Sequence, residues 1–222
     1  MAVHQSDLSN AAPQVVPLPS GWYFHWGKRT LDSLLVLLTL PLWLPLLCLL
    51  GLVVLLDSGR PVLYSQARMG HQGRRFILFK LRTMTAGVSA PPGALFEGWT
   101  YHADPRITRC GRFLRRFRLD ELPQLFNVLR GEMSLVGPRP EPWEIARALS
   151  AQIPGYSRRH LVRPGLTGLC QLSPRYLEFG TIDQSRRKAE LDLVYVDTLS
   201  LATDLKLLCR TPLAMLRLGG VS

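Results

Sequence analysis

Between Leu31 and Leu56 the chain carries one charge, Asp32, and the run exceeds the roughly 20 apolar residues that embed a helix in a bilayer. It lies too far from Met1 and is too long for a secretory signal, and no small-residue cleavage site follows, so it is expected to be retained. Ahead of it, Gly21-Trp22-Tyr23-Phe24-His25-Trp26-Gly27-Lys28-Arg29 joins aromatic residues to two cations, the composition of a lipid headgroup boundary. Both flanks are basic: Lys28 and Arg29 precede the run, and Arg60, Arg68, Arg74 and Arg75 follow it. The positive-inside rule therefore draws both ends to the cytoplasm, which a simple span does not allow. Pro41 and Pro45 each remove a backbone donor in the middle of the run, so a bend or break is expected there. A re-entrant helix-break-helix that enters and leaves on one face satisfies both observations, and a single kinked span is the alternative. Asp32, three residues after Arg29, is placed to pair with it.

Lys and Arg number 27 against 16 Asp and Glu, a net charge of +11. The natural partners are phosphates, nucleic acid or an anionic membrane surface. Cys48, Cys110, Cys170 and Cys209 form no C-x-x-C pair, which argues against a zinc site and a disulfide framework. Residues 1–20 are polar and read as a disordered tail. Arg60 to Gln66 and Arg75 to Leu81 are β-branched and aromatic runs separated by Gly70 and Gly73, the pattern of a short β-hairpin. Helical spacing dominates afterwards, broken by loops at Ala90-Pro91-Pro92-Gly93, Gly137-Pro138-Arg139-Pro140, Pro154-Gly155 and Arg163-Pro164-Gly165. Lys188 to Val196 and Asp204 to Leu216 are amphipathic, with Leu205, Leu208 and Leu216 expected on one face and Lys206, Arg210 and Arg217 reaching for headgroups. An ordinary core-facing helix is the alternative.

The densest chemical signal runs from Gly111 to Asn127, where Arg112, Arg115, Arg116 and Arg118 lead into Asp120-Glu121. Pro123 suits a first helical turn and either acid suits its cap, which places the dyad at a helix N-terminus that attracts anions. Arg112, Arg115 and Arg116 are three or four residues apart, so on a helix they form one cationic stripe that keeps both acids ionised. A carboxylate so held beside a phosphate can attack phosphorus, or can hold Mg²⁺ against a diphosphate. The bland alternatives are a helix cap and a solvated basic face.

Four segments carry a resemblance. Asp104-Pro105-Arg106-Ile107-Thr108 through Leu119-Asp120-Glu121-Leu122-Pro123-Gln124-Leu125-Phe126-Asn127 to Met133-Ser134-Leu135-Val136-Gly137-Pro138-Arg139-Pro140 resembles the bacterial sugar transferase family, the monotopic phosphoglycosyl transferases. Phe79-Lys80-Leu81-Arg82-Thr83-Met84, Arg163-Pro164-Gly165-Leu166-Thr167-Gly168 and Glu190-Leu191-Asp192-Leu193-Val194-Tyr195-Val196 resemble further signatures of that family in the same order. The resemblance implies transfer of a sugar-1-phosphate from a UDP-sugar to polyprenyl (undecaprenyl) phosphate by a ping-pong reaction. Asp120 would be the nucleophile and Glu121 its partner, the two together holding Mg²⁺. Lys80, Arg82, Arg112, Arg115, Arg139, Arg163 and Asp192 would serve phosphate or nucleotide, although Arg139 could instead order a loop and Asp192 could pair with a buried arginine. In the family the membrane helix breaks at a proline that commonly follows a serine; here Leu44 stands before Pro45, with Pro41 in addition.

The expected fold class is α+β and mostly helical: a monotopic membrane protein with a re-entrant segment over 21–57 and a cytoplasmic catalytic domain over 58–222 that contains the hairpin and interfacial helices. The resemblance places it at the cytoplasmic face of the bacterial inner membrane, in the family's small, minimal form, with downstream glycosyltransferases as functional partners and no nucleic acid. The residues leave homo-oligomerisation and the identity of the sugar open. A non-enzymatic, membrane-anchored basic protein is the competing reading, and it would need no dyad.

Overall fold

A computed structural model describes residues 20–85, 104–173 and 181–218; the polar tail and the Ala90–Gly93 loop lie outside the described residues, as do the side chains of Leu216 and Arg217. A π-helical turn, Tyr23–Gly27, runs directly into α1 (Lys28–Ser58), and together they form a helix long and apolar enough to cross a membrane. Lys28, Asp32, Val36, Trp43, Leu50 and Val54 are the buried positions of α1. Steps of four and seven place them on one stripe, whereas Leu38, Leu42 and Leu56 on other faces are each about three-quarters exposed (77%, 75% and 78%).

The buried stripe touches the rest of the protein from end to end. At its start Lys28 Nζ bridges Asp204 Oδ2 at 2.6 Å, an oxygen that also accepts from the Tyr23 hydroxyl at 2.6 Å. Val36 and Trp43 pack into a core with Phe76, Leu78, Val128 and Met133, and Trp43 meets Phe126 edge-on with ring centroids 5.2 Å apart. Leu50 and Val54 lie against Leu81 and Leu114, and the Arg82 guanidinium closes the far end on the carbonyls of Ser58 and Gly59.

Two expectations for this segment need correction. The helix is not interrupted at Pro41 or Pro45, both of which sit inside α1 on exposed positions. Instead the Trp43 indole donates to the Val36 carbonyl at 3.0 Å, seven residues back. Pro41 and Pro45 bring no N–H to the helix ladder, yet α1 continues past both. Arg29 does not pair with Asp32. Its guanidinium donates to the carbonyls of Val128 and Leu129, while Asp32 Oδ1 accepts the Leu135 N–H at 3.2 Å. Each group meets a backbone partner across the fold in place of its helical neighbour.

The hairpin forms as the alternation of side chains requires: β1 (Leu63–Met69) and β2 (Arg75–Leu81) pair antiparallel, Leu63 opposite Leu81 and Met69 opposite Arg75. Phe76 and Leu78 point under α1. Next come α2 (Arg109–Arg116), a 3₁₀ turn at Leu119–Glu121 and α3 (Gln124–Arg130), then β3 (Ser134–Val136), α4 (Trp143–Gln152), a second 3₁₀ turn at Tyr156–Leu161 and β4 (Gly165–Thr167). β3 and β4 form a parallel pair. Its backbones approach so closely that a Cβ on Gly165 would stand 2.0 Å from the Gly137 nitrogen, which explains glycine in both proline-rich loops. The chain ends in α5 (Ile182–Asp197) and α6 (Leu201–Leu218). Tyr195, Val196 and Leu207 join Val136 and Val162 in a second core. On α6 the inward residues are Asp204 and Leu207, while Leu205, Lys206 and Arg210 are exposed and Leu208 is half-buried. The described residues form a mostly helical α+β arrangement with a long apolar N-terminal helix and two small sheets.

Candidate active site

Asp120 and Glu121 do not cap a helix. They occupy the 3₁₀ turn Leu119–Glu121, entered through Arg118 in the left-handed conformation (φ 52°), and the residue at the α3 cap is Pro123. The tight turn carries both carboxylates inward, to 7% and 8% exposure. Burying two adjacent acids is unfavourable unless cations meet them, and three distant segments supply these.

Arg139, in the loop between β3 and α4, forks onto Glu121, with NH2 to Oε1 at 2.6 Å and NH1 to Oε2 at 3.2 Å. Lys80, near the end of β2, places Nζ 3.2 Å from Glu121 Oε1 and 3.9 Å from Asp120 Oδ2. Arg115 comes from α2 and is steadied by Thr83, whose hydroxyl accepts from its Nε at 2.8 Å. That contact requires α2 to touch the end of β2: a Cβ at Gly111 would stand 2.2 Å from the Thr83 carbonyl oxygen. Arg112 and Arg116 are exposed, Arg112 donating to the Ile107 carbonyl at 3.3 Å and Arg116 lying over the Phe117 ring. The expected stripe is therefore divided: consecutive helical residues such as Arg115 and Arg116 point about 100° apart, and only Arg115 turns toward Thr83.

The two acids are electrostatically unequal. Burial would raise Glu121, but Arg139 and Lys80 outweigh it and hold that carboxyl well below the usual range. Burial dominates at Asp120 and lifts its carboxyl above the usual value, opposed by Lys80 and reinforced by the Glu121 charge. The pair is thus one firmly ionised, cation-locked carboxylate beside one that is poorly compensated, instead of two equally ionised acids. Burial likewise pulls the Lys80 ammonium below its usual value, against the pull of Glu121.

The remaining sequence candidates lie further out. Arg82 donates from NH2 to the C-terminal carbonyls of α1, while its Nε and NH1 have no hydrogen-bond partner among the described residues. Arg163 donates from Nε to the Gly131 carbonyl at 3.0 Å, just past α3 and close to Arg29. Asp192 accepts from Arg159 at 2.9 and 2.5 Å, the buried-arginine alternative. Arg159 NH2 also donates to the Arg139 carbonyl at 2.8 Å, so Asp192 reaches the dyad through Arg159, then the Arg139 backbone, then Glu121. Pattern reading missed Arg159, Thr83 and the backbone role of Arg118. Arg159 sits in an irregular turn without periodicity, so nothing local singles it out.

Among the described residues, no group of three or more His, Cys, Asp or Glu side chains is arranged to hold a metal ion. The dyad alone still fits Mg²⁺, which is commonly held by one or two carboxylates and completed by substrate phosphate oxygens. Asp120 is the freer donor, since Arg139 engages both Glu121 oxygens.

Residues 23–218 match the family model described as bacterial sugar transferase. A UDP-glucose:undecaprenyl-phosphate glucose-1-phosphate transferase of Caulobacter vibrioides is 45% identical over 83% of this chain and 67% of its own length. A UDP-N-acetylgalactosamine-undecaprenyl-phosphate N-acetylgalactosaminephosphotransferase of Aeromonas hydrophila is 35% identical over 94% of the chain and 46% of its own. A UDP-glucose:undecaprenyl-phosphate glucose-1-phosphate transferase of Escherichia coli is 39% identical over 91% and 43%. The chain therefore spans less than half the length of the last two.

Proposed function

The chain belongs to the bacterial sugar transferase family, and on that premise we propose that it moves a sugar-1-phosphate from a UDP-sugar to a polyprenyl phosphate, releasing UMP. The observation that carries this reading is the unequal dyad: Glu121 is locked by Arg139 and Lys80, while Asp120 beside it is buried and incompletely neutralised. A carboxylate kept short of full compensation is a better nucleophile than one bound in a bidentate fork.

In the first half-reaction an Asp120 oxygen attacks the sugar-bearing phosphorus of the donor. The new O–P bond forms as the diphosphate P–O bond breaks, and UMP leaves with that electron pair. In the second, an oxygen of polyprenyl phosphate attacks the same phosphorus and Asp120 departs as carboxylate. Lys80 and Arg115, which already face Asp120, would draw the donor's phosphates in and stabilise charge on the transferring group. Glu121 fixes Lys80 and Arg139 in place. A magnesium ion held by the dyad together with diphosphate oxygens would neutralise charge that otherwise repels the nucleophile.

A substrate with its phosphate at the headgroup layer needs an enzyme seated there. That both ends of α1 pack on one body, while its other faces present leucines, supports a monotopic, same-side insertion of residues 21–57 and a catalytic domain on the cytoplasmic face of the inner membrane. The product, a polyprenyl diphosphate sugar, would then serve downstream glycosyltransferases.

The test is UMP release from purified chain given UDP-sugar, Mg²⁺ and polyprenyl phosphate. Without acceptor, intact mass should rise by one sugar phosphate in the wild type and not in Asp120→Asn. Turnover by Asp120→Asn at the wild-type rate would refute the assignment, and a chain that merely bound anionic lipid would release no UMP. Topology is tested by labelling Ser20→Cys and Arg60→Cys in a cysteine-free background in sealed inverted vesicles, where labelling from opposite sides would defeat same-side insertion.

A further inference from the structure

Beside the dyad the fold leaves a cavity of about 200 Å³ at the seam between its two main cores, bordered by Glu121 and Arg118 at one edge. The geometry points to this cavity as the seat of the acceptor's first isoprene units, an inference that rests on the transfer reaction proposed above.

Six leucines make the wall: Leu122 and Leu125 around the start of α3, Leu135 and Leu166 from the parallel pair, Leu172, and Leu208 of α6. Thr167 and Thr211 also line it, but their hydroxyls lie 2.9 Å apart and Thr211 donates to the Leu207 carbonyl at 2.8 Å, so neither calls for a polar ligand. Gln171 donates to the Gly137 carbonyl at 3.3 Å and leaves its amide oxygen without a partner. Away from the edge held by Arg118 and Glu121, one free acceptor among six leucines cannot satisfy a uracil or a sugar ring, each of which carries several polar groups that are costly to bury unpaired. A hydrocarbon asks for none.

The charge pattern completes the match. The guanidinium of Arg118 acts on Glu121, and Lys80 belongs to the same cluster, so an anionic head is favoured at the edge from which the apolar space opens. That is the form of an amphiphile with its phosphate beside the reacting carboxylate. A cavity of about 150 Å³ can hold a benzene molecule, so this one has room for a five-carbon unit and part of the next. Each buried methylene strengthens binding by a factor of about four, and the cavity would give a prenyl chain an affinity that a short alkyl phosphate lacks. Leu122, Leu125, Leu135 and Leu166 also back onto the core beneath α1, so the rest of the chain lies close to the apolar helix.

Farnesyl phosphate is the probe. Ala214→Trp fills the α6 side of the cavity and leaves both dyad residues unsubstituted, and KM for farnesyl phosphate should rise tenfold or more. In the wild type, farnesyl phosphate bearing a diazirine in its first isoprene unit should label residues 122–125, 166–172 or 208–214. An unchanged KM in Ala214→Trp, or label confined to residues 31–56, overturns the proposal; if Ala214→Trp does not fold, the wild-type labelling decides alone. Exchange of labelled UMP into UDP-sugar by the wild type, which requires no acceptor, separates the two levels. Exchange with misplaced label removes only the cavity assignment, whereas no exchange removes the transfer reaction on which it rests.

Discussion

Substituting Asp192 by Asn removes the charge that faces Arg159, and its consequences can be worked out from the relay behind the dyad. The side chains of Arg159 and Asp192 are 4% and 3% exposed, and their closest atoms are 2.5 Å apart. Breaking such a pair from one side leaves a buried, uncompensated cation and costs about 3–5 kcal/mol. For a chain of this size that lowers the melting temperature by about 6–20 °C. Arg159 would also loosen its hold on the Arg139 carbonyl, and through it the fork on Glu121. A displacement of about 1 Å near reacting groups can cost on the order of 10²-fold in rate. Stability and positioning are separated by the double variant Arg159→Met/Asp192→Leu. Exchanging both charges for apolar groups should restore stability to within about 1 kcal/mol, but UMP release should stay at least tenfold below wild type because nothing then holds the Arg139 backbone. Melting in detergent and UMP release on the same samples give both numbers. Full activity in the double variant would refute the relay, and an unchanged melting temperature in Asp192→Asn would refute the buried pair.

Three further outcomes are expected. Arg82→Ala should cost about 2 kcal/mol by freeing the carbonyls at the end of α1 and leave KM for UDP-sugar unchanged; a tenfold rise in KM without loss of stability would return Arg82 to the phosphate site. His160 is held near 4, below its ordinary 6.5, by burial and then by Arg159. The unfolded chain thus binds the extra proton between those values, stability falls as pH drops through that window by about 2 kcal/mol from pH 7 to 5, and a His160→Phe variant with the same slope would be inconsistent with this. Gly111→Ala should destabilise by about 1–3 kcal/mol through its contact with the Thr83 carbonyl and slow turnover by shifting Arg115, although helix propensity alone would favour alanine by about 1 kcal/mol; a gain in melting temperature would refute the close approach.

Much was legible in the sequence because it is local. Charge-free length marks α1, alternation marks the β1–β2 hairpin, helical spacing marks α5 and α6, and Asp120-Glu121 marks the candidate site, since each is written in neighbouring residues. What only the tertiary structure decided is which distant groups meet. Arg29 leaves Asp32 for α3, Arg82 turns to the end of α1, Asp192 acts through Arg159, and Arg115 alone of its stripe turns inward. Pro41 and Pro45 read as a bend or break by propensity, yet α1 stays continuous, with Val36, Trp43, Leu50 and Val54 of its buried stripe packed into the cores along its length. The physical reason is the same in each instance. Periodicity encodes backbone geometry over a few residues, whereas the partner of a buried charge is chosen by the close approach of segments up to 181 residues apart, where an unpaired group costs more than any local preference supplies.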